Sequence, residues 1–131
     1  MFSLLEPAMK KILIVDDHAD IRRLIRMTLE FEDYEIHEAS NGDSALERAL
    51  ALQPDFVLMD VMMPGGMDGL EACRRIRAEP SLRNTHVILL SARGQSQDKE
   101  AGLKAGAHDY LVKPFSPLRL IDALASLWLV D

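Results

Sequence analysis

A short apolar run, residues 56–59 (FVLM), ends in a single acidic residue, Asp60. Prolines and glycines bound the run on both sides, at Pro54 and at residues 64–66. A strand of this length without polar alternation is typical of a parallel sheet whose two faces are covered by helices. Ligands bind such sheets at the carboxyl ends of the strands, so Asp60 is the first candidate for a functional side chain. A plain loop-capping role for Asp60 is the alternative.

Apolar runs and amphipathic helical patterns alternate along the rest of the chain. Strands are predicted at residues 11–15, 34–39, 56–60, 86–90 and 109–112. The pattern after the first strand places Ile21, Leu24 and Ile25 on the inner face of a helix. Five such units favour an α/β fold, a doubly wound five-stranded parallel sheet with helices on both faces. Residues 1–9 are interpreted as a flexible N-terminal extension and residues 10–131 as one domain.

The composition restricts the choice of partners. The 131 residues carry a formal net charge of −6, which argues against binding to nucleic acid or to an anionic membrane by charge alone. A cation is a more natural partner. The single cysteine, Cys73, excludes an internal disulfide framework and suits the reducing cytoplasm, and its place in the helical pattern favours a core position. No apolar run is long enough to span a bilayer.

Polar residues follow several of the predicted strands. They are Asp16 and Asp17 after the first strand, Asp60 at the third, Ser91 at the fourth and Lys113 at the fifth. Because the carboxyl ends of parallel strands meet at one edge, these side chains are expected to converge. Three crowded carboxylates repel one another, and a hard divalent cation such as Mg²⁺ relieves that repulsion. The serine and the lysine suit phosphoryl oxygens, so the assembly indicates a site that takes phosphate onto a carboxylate.

At these residues the chain resembles the receiver domains of two-component response regulators. Four stretches carry the resemblance: residues 11–17 (KILIVDD), residues 60–64 (DVMMP) with Asp68 and Gly69, Ser91 with Ala92, and residues 113–115 (KPF). The resemblance extends over nearly the whole chain. It implies a flavodoxin-like sheet with the strand order 2-1-3-4-5.

The resemblance implies a role for each of the polar residues. Asp60 would be the nucleophile and the phosphorylation site. Ser91 would hydrogen-bond one phosphoryl oxygen, and Lys113, held by a cis bond before Pro114, would pair with another. Tyr110 would be the aromatic switch that turns inward when Ser91 is drawn toward the phosphate.

The resemblance also implies a Mg²⁺ site in which Mn²⁺ could substitute. Its ligands would be Asp17, Asp60 and the backbone carbonyl of Met62, with Asp16 acting through metal-bound water. Met62 and Arg93 occupy the two positions that tune hydrolysis of the phosphoryl group in this family. Neither residue is the amide or acid associated with fast hydrolysis, so slow loss of phosphate is implied.

The implied function is a phosphorylation-dependent signalling switch. The donor would be a histidine kinase or a histidine phosphotransfer protein, and the response would be a changed surface of the fourth helix, fifth strand and fifth helix that controls an output partner or domain. Such a domain is not an enzyme but a regulatory domain that promotes its own phosphorylation and dephosphorylation. A monomer, or a weak dimer formed on phosphorylation, is expected. One departure from the family is an additional glycine in residues 64–69, whose effect is expected where the third helix begins.

Two other functions remain open from the residues alone. A pseudo-receiver would bind partners without phosphotransfer, although the full acid, serine and lysine set argues against it. A phosphatase of the haloacid dehalogenase type would want a second acid two positions after Asp60, where Met62 stands. His18 is interpreted as a solvated loop residue beside the acid pair. The sequence leaves open whether the domain acts alone or within a longer regulator or hybrid kinase.

Overall fold

A computed structural model of the chain describes residues 9–92 and 96–128. Three features of the sequence interpretation lie outside these residues. They are the N-terminal extension apart from Met9, the hydrolysis-tuning residue Arg93, and the last three residues of the chain.

Five strands and five helices alternate along the described chain, with one short 3₁₀ turn at Pro80–Leu82. The strands are β1 Lys10–Val15, β2 Tyr34–Ala39, β3 Phe56–Asp60, β4 His86–Ser91 and β5 Asp109–Val112. The helices are α1 Ala19–Leu29, α2 Gly42–Leu52, α3 Gly69–Ala78, α4 Ser96–Lys104 and α5 Pro117–Trp128. All strand pairs are parallel and the sheet order is β2-β1-β3-β4-β5. The predicted fold class and strand order are confirmed.

The central strand β3 is buried along its whole length, because helices cover both faces of the sheet. Val57 and Met59 point into a core shared with α2 and α3, whereas Phe56 and Leu58 point into a core shared with α1 and α5. This two-sided burial is why the strand sequence lacks polar alternation. Its first polar residue, Asp60, comes where the strand leaves the interior.

One helical assignment was wrong in detail. Leu24, predicted on the inner face of α1, is 57% exposed, whereas Ile25 and Leu29 are fully buried. Helix α1 packs on β1 and β2 at the edge of the sheet, so only a narrow stripe of it reaches the core. Leu24 lies about 100° around the helix from Ile25 and falls outside that stripe.

The loop with the additional glycine accommodates it on its solvent side. A Cβ atom added at Gly65 or Gly66 would meet no atom within 4 Å. The start of α3 is fixed elsewhere, by the Asp68 carboxylate, which accepts a hydrogen bond from the Glu71 N–H at 2.9 Å, and by Gly69. The Gly69 N–H donates to the Val61 carbonyl at 2.9 Å, which ties the helix to the end of β3. None of the helices in the described ranges is long and apolar enough to cross a membrane.

Candidate functional site

The polar residues at the strand ends converge on one edge of the sheet, as the parallel topology requires. Asp16, Asp60 and Ser91 are buried there, with exposures of 0%, 5% and 3%. Backbone hydrogen bonds continue the strand pairing into the loops: the Val61 N–H donates to the Leu90 carbonyl at 2.8 Å, and the Lys113 N–H donates to the Ser91 carbonyl at 2.6 Å. The loop residues are therefore held in the register of the sheet.

Lys113 links the two buried carboxylates. Its ammonium nitrogen lies 2.7 Å from Asp16 Oδ2 and 3.3 Å from Asp60 Oδ2. The peptide bond between Lys113 and Pro114 is cis, as the family resemblance implied. A compact ammonium group in this position can neutralise charge on an oxyanion bound beside Asp60.

The acid pair contacts His18 more closely than the sequence suggested. The His18 backbone N–H donates to Asp16 Oδ1 at 2.8 Å, and its ring Nδ1 lies 3.1 Å from the same oxygen. The ring also lies 3.3 Å from Asp17 Oδ1, although the side chain is 66% exposed. His18 is therefore largely solvated, as interpreted, but it also contacts both acids. Its position next to Asp17 was the only sequence feature that could have predicted this contact.

The donor set at this edge fits a hard divalent cation. Each of Asp16, Asp17, His18 and Asp60 offers a ligand atom, and these atoms all lie within 4.8 Å of one another. Asp17 Oδ1 is buried and accepts no hydrogen bond from the described residues, and the His18 ring 3.3 Å away forms an ion pair with it only when that ring is protonated. A buried carboxylate oxygen without a donor is unfavourable, and a cation with oxygen ligands would satisfy it. His37, His86 and His108 do not belong to this cluster.

Burial raises the pKa of the Asp60 carboxyl, Lys113 opposes that rise, and the neighbouring Asp16 adds to it. The Met62 backbone N–H also donates to Asp60 Oδ1, at 3.3 Å, which favours the ionised form. The net effect is a raised pKa, so keeping Asp60 ionised in the folded protein costs free energy. A further positive charge close to Asp60 would stabilise its ionised, nucleophilic form.

Ser91 and Tyr110 lie on the two neighbouring strands β4 and β5. Tyr110 pairs in register with Leu89, two residues before Ser91. Its side chain is turned inward and buried in the core that α2 and α3 share, and a Cβ added at Gly102 of α4 would lie 3.8 Å from its ring. The ring therefore fills space between β5 and α4, where a movement of either element would disturb its packing.

Met62 and Cys73 differ sharply in environment. Met62 follows Asp60 by two residues and its side chain is 74% exposed at the mouth of the site. Cys73 is fully buried on α3, its thiol donates to the Ala105 carbonyl at 3.6 Å, and burial raises its pKa to about 11. Cys73 is a core residue, as predicted, and not a reactive thiol.

Comparisons with known proteins agree with this geometry. The profile of the family described as response regulator receiver domain matches residues 12–125. The transcriptional regulatory protein ResD of Bacillus subtilis is 50% identical over 111 residues, which are 85% of this chain and 45% of ResD. SrrA of Staphylococcus aureus is 44% identical over the same share of this chain and 44% of its own length. The chain thus spans less than half the length of these relatives.

Solved structures share the same fold. A response regulator from Chloroflexus aurantiacus superposes with a TM-score of 0.87 at 34% identity, covering 92% of this chain and 98% of its own. The receiver domain of the sensor histidine kinase PA1611 of Pseudomonas aeruginosa gives a TM-score of 0.83 at 33% identity, covering 92% and 98%. That structure holds a magnesium ion coordinated in its active-site cleft.

Proposed function

Because the chain belongs to the response regulator receiver domain family, we propose that it is a phosphorylation-dependent switch of a two-component phosphorelay. A histidine kinase or a histidine phosphotransfer protein would supply the phosphoryl group, and Asp60 would receive it. The observation that carries this proposal is the convergence of Asp60, two further carboxylates, Ser91 and Lys113 on one sheet edge. The proposed setting is the cytoplasm.

The chemistry we propose is a transfer from nitrogen to oxygen. A carboxylate oxygen of Asp60 attacks phosphorus, the bond from phosphorus to the donor imidazole breaks, and the imidazole nitrogen keeps the electron pair. Lys113 lies 3.3 Å from Asp60 and places positive charge where the phosphoryl oxygens would lie. The hydroxyl of Ser91, at the end of the neighbouring strand, would donate to another of those oxygens.

A divalent cation is part of the proposal. Asp17, Asp60 and the Met62 carbonyl would hold Mg²⁺, or Mn²⁺ in its place, and Asp16 would act through bound water. The orphaned oxygen of Asp17 supports a cation at this position. When bound, such an ion supplies positive charge that offsets the charge of the phosphoryl oxygens.

The output we propose is a changed surface of α4, β5 and α5. Ser91 would be drawn toward the phosphoryl group, and the packing of Tyr110 under α4 would follow. Exposed apolar side chains already mark that surface, at Leu103, Val112 and Leu118. They favour docking of an output partner or domain, with this chain as a monomer or a weak phosphorylation-dependent dimer. ResD and SrrA are transcriptional regulators by name, which favours an output domain as the docking partner.

Phosphorylation can be tested by intact mass spectrometry. With Mg²⁺ and a small acyl phosphate donor, the mass should rise by one phosphoryl group, and Asp60→Asn should abolish the rise. Asp43→Asn is a matched control, because Asp43 is an exposed acid in the first turn of α2. Undiminished labelling of Asp60→Asn would refute the assignment of the acceptor. No labelling of the wild type by either an acyl phosphate or a phosphorylated histidine protein would favour a partner-binding pseudo-receiver.

A further inference from the structure

Arg22 on α1 contacts the backbone that carries the acid pair. Its Nη1 donates to the carbonyl oxygen of Asp16 at 2.6 Å, and its Nε donates to Glu38 Oε1 at 2.8 Å. The side chain is 18% exposed, so the guanidinium is largely shielded from competing water. A single side chain therefore joins α1, the end of β1 and the edge strand β2.

Glu38 fixes the guanidinium in place. Its two carboxylate oxygens are divided between two arginines, with Oε1 bound by Arg22 and Oε2 bound by Arg26, each at 2.8 Å. Burial alone would raise the pKa of Glu38, but the hydrogen bonds from both arginines outweigh burial and lower it. The carboxylate is therefore ionised at neutral pH and restrains Arg22 through a charge-assisted hydrogen bond.

The contact between Arg22 and the Asp16 carbonyl affects Asp17 because the peptide bond between the two acids is rigid. On one side of Asp16, its N–H donates to the Ala39 carbonyl at 3.2 Å. On the other side, Arg22 holds its carbonyl oxygen. Because the peptide unit that joins Asp16 to Asp17 is planar, fixing that carbonyl also fixes the N–H and Cα of Asp17. The Asp17 side chain then starts from a fixed Cα, and only the φ angle of Asp17 and its side-chain torsions still move the carboxylate.

We infer that Arg22 is a positioning residue for the cation site, which it serves by fixing the peptide between Asp16 and Asp17. This inference rests on the proposed function, since it concerns the divalent cation assigned there to Asp17 and its neighbours. Partners that orient metal ligands commonly change metal affinity by about 10–100-fold when they are removed.

The charge of Arg22 acts in the opposite direction to its positioning role. A guanidinium near a cation site repels the cation, so removing it by charge alone would strengthen Mg²⁺ binding. The two effects of removing Arg22 on Mg²⁺ affinity thus have opposite signs. Weaker Mg²⁺ binding would show that the lost positioning outweighs the relieved repulsion.

Arg26 provides the matched control. It forms the same 2.8 Å contact with Glu38, but its backbone contact is with the Ile36 carbonyl at 3.4 Å and not with the acid pair. Arg22→Gln and Arg26→Gln each remove one positive charge and one ion pair with Glu38, and only Arg22→Gln frees the Asp16 carbonyl.

The test is a Mg²⁺ titration of the wild type and both variants, together with amide chemical shifts of the metal-free proteins. Arg22→Gln should weaken Mg²⁺ binding about tenfold and shift the Asp17 amide resonance. Arg26→Gln should bind as tightly as the wild type or more tightly, with the Asp17 amide unchanged. Equal effects in both variants, or an unshifted Asp17 amide in Arg22→Gln, would overturn the inference. If the wild type itself binds no Mg²⁺, the proposed cation site fails, while the metal-free amide shift still decides whether Arg22 holds the peptide.

Discussion

Lys113 and Asp16 form a hydrogen-bonded ion pair of 2.7 Å between the end of β5, the last strand of the described chain, and the end of β1, the first. The pair is nearly closed to solvent, since Asp16 is fully buried and the lysine side chain is 16% exposed. Lys113 thus compensates the charge of the same carboxylates that are proposed to serve a divalent cation. A cation bound to the acid cluster would weaken the hold of Asp16 on the ammonium group, which could then turn to a phosphoryl oxygen near Asp60.

The first prediction concerns Lys113→Ala. Removing the lysine leaves Asp16 and Asp60 without their positive partner, so the free energy of unfolding should fall by about 3 kcal/mol in the absence of Mg²⁺. The loss of a nearby positive charge should leave Mg²⁺ binding intact or make it tighter. Added Mg²⁺ should therefore restore more stability to the variant than to the wild type. Denaturant unfolding with and without Mg²⁺ measures both effects.

Two further variants define the contrast. Asp17→Ala removes a proposed ligand and should weaken Mg²⁺ binding, and Lys104→Ala, at an exposed lysine of α4, should alter neither property. If Mg²⁺ titration shows Lys113→Ala and Asp17→Ala to be weakened alike, the division of roles between lysine and acid is wrong.

The second prediction concerns the close approach of α3 to the end of β3. A Cβ on Gly69 would lie 2.0 Å from the backbone carbonyl oxygen of Asp60. A methyl group there must displace one of the two elements, so Gly69→Ala should cost about 1–3 kcal/mol of stability in urea unfolding. Gly66→Ala, in the same loop but with open space around the added atom, should change stability by less than about 1 kcal/mol. Equal effects of the two substitutions would show that α3 can shift freely against the site.

The third prediction concerns acid sensitivity. Burial, with additional effects of Arg77 and His86, lowers the pKa of His108 from 6.5 to about 4. The unfolded chain takes up this proton near pH 6.5 and the folded chain only near pH 4. As the pH falls through this window the unfolded state binds more protons, so stability should decrease. Allowing for solvent screening of a partly exposed ring, the loss should be about 1–2 kcal/mol.

His108→Asn tests the assignment of this pH dependence. The ring accepts a hydrogen bond from the Val87 N–H through Nδ1 at 3.0 Å, and an asparagine carbonyl can accept the same bond without titrating. Between pH 6.5 and pH 5 the stability of the variant should therefore depend less steeply on pH than the stability of the wild type. If the slope of stability against pH in this range is identical in the wild type and the variant, a group other than His108 causes it.

The site residues differ in how far they could be predicted. Asp60, Ser91 and Lys113 each follow an apolar run, and parallel strands bring their carboxyl ends together whatever the details of packing. The contact of Arg22 with Asp16 could not be predicted, because its acceptor is a backbone carbonyl, which every residue offers. Its other partner, Glu38, is 16 residues away in sequence.

The sequence pattern also could not predict which apolar residues of α1 are exposed. Leu24 fits the helical repeat as well as Ile25 does, and only the position of α1 at the edge of the sheet decides between them. Because α1 lies at this edge, the side chains of Arg22 and Arg26 can extend to β2, where Glu38 binds both. Periodicity predicts that a helix has a buried stripe but not how wide that stripe will be.

The last prediction concerns the lifetime of the phosphoryl group. Met62 stands at the mouth of the site with its N–H 3.3 Å from Asp60 Oδ1, and its exposed thioether side chain has no group that can orient a water molecule for attack. Met62→Asn supplies an amide that can donate to and accept from water at the same place, so phosphate should be lost several-fold faster. Met62→Leu, which stays apolar and of similar volume, should decay at the wild-type rate. Decay is followed by intact mass after removal of the donor. Equal lifetimes of the asparagine and leucine variants would mean that water reaches the phosphorus by a path that Met62 does not control.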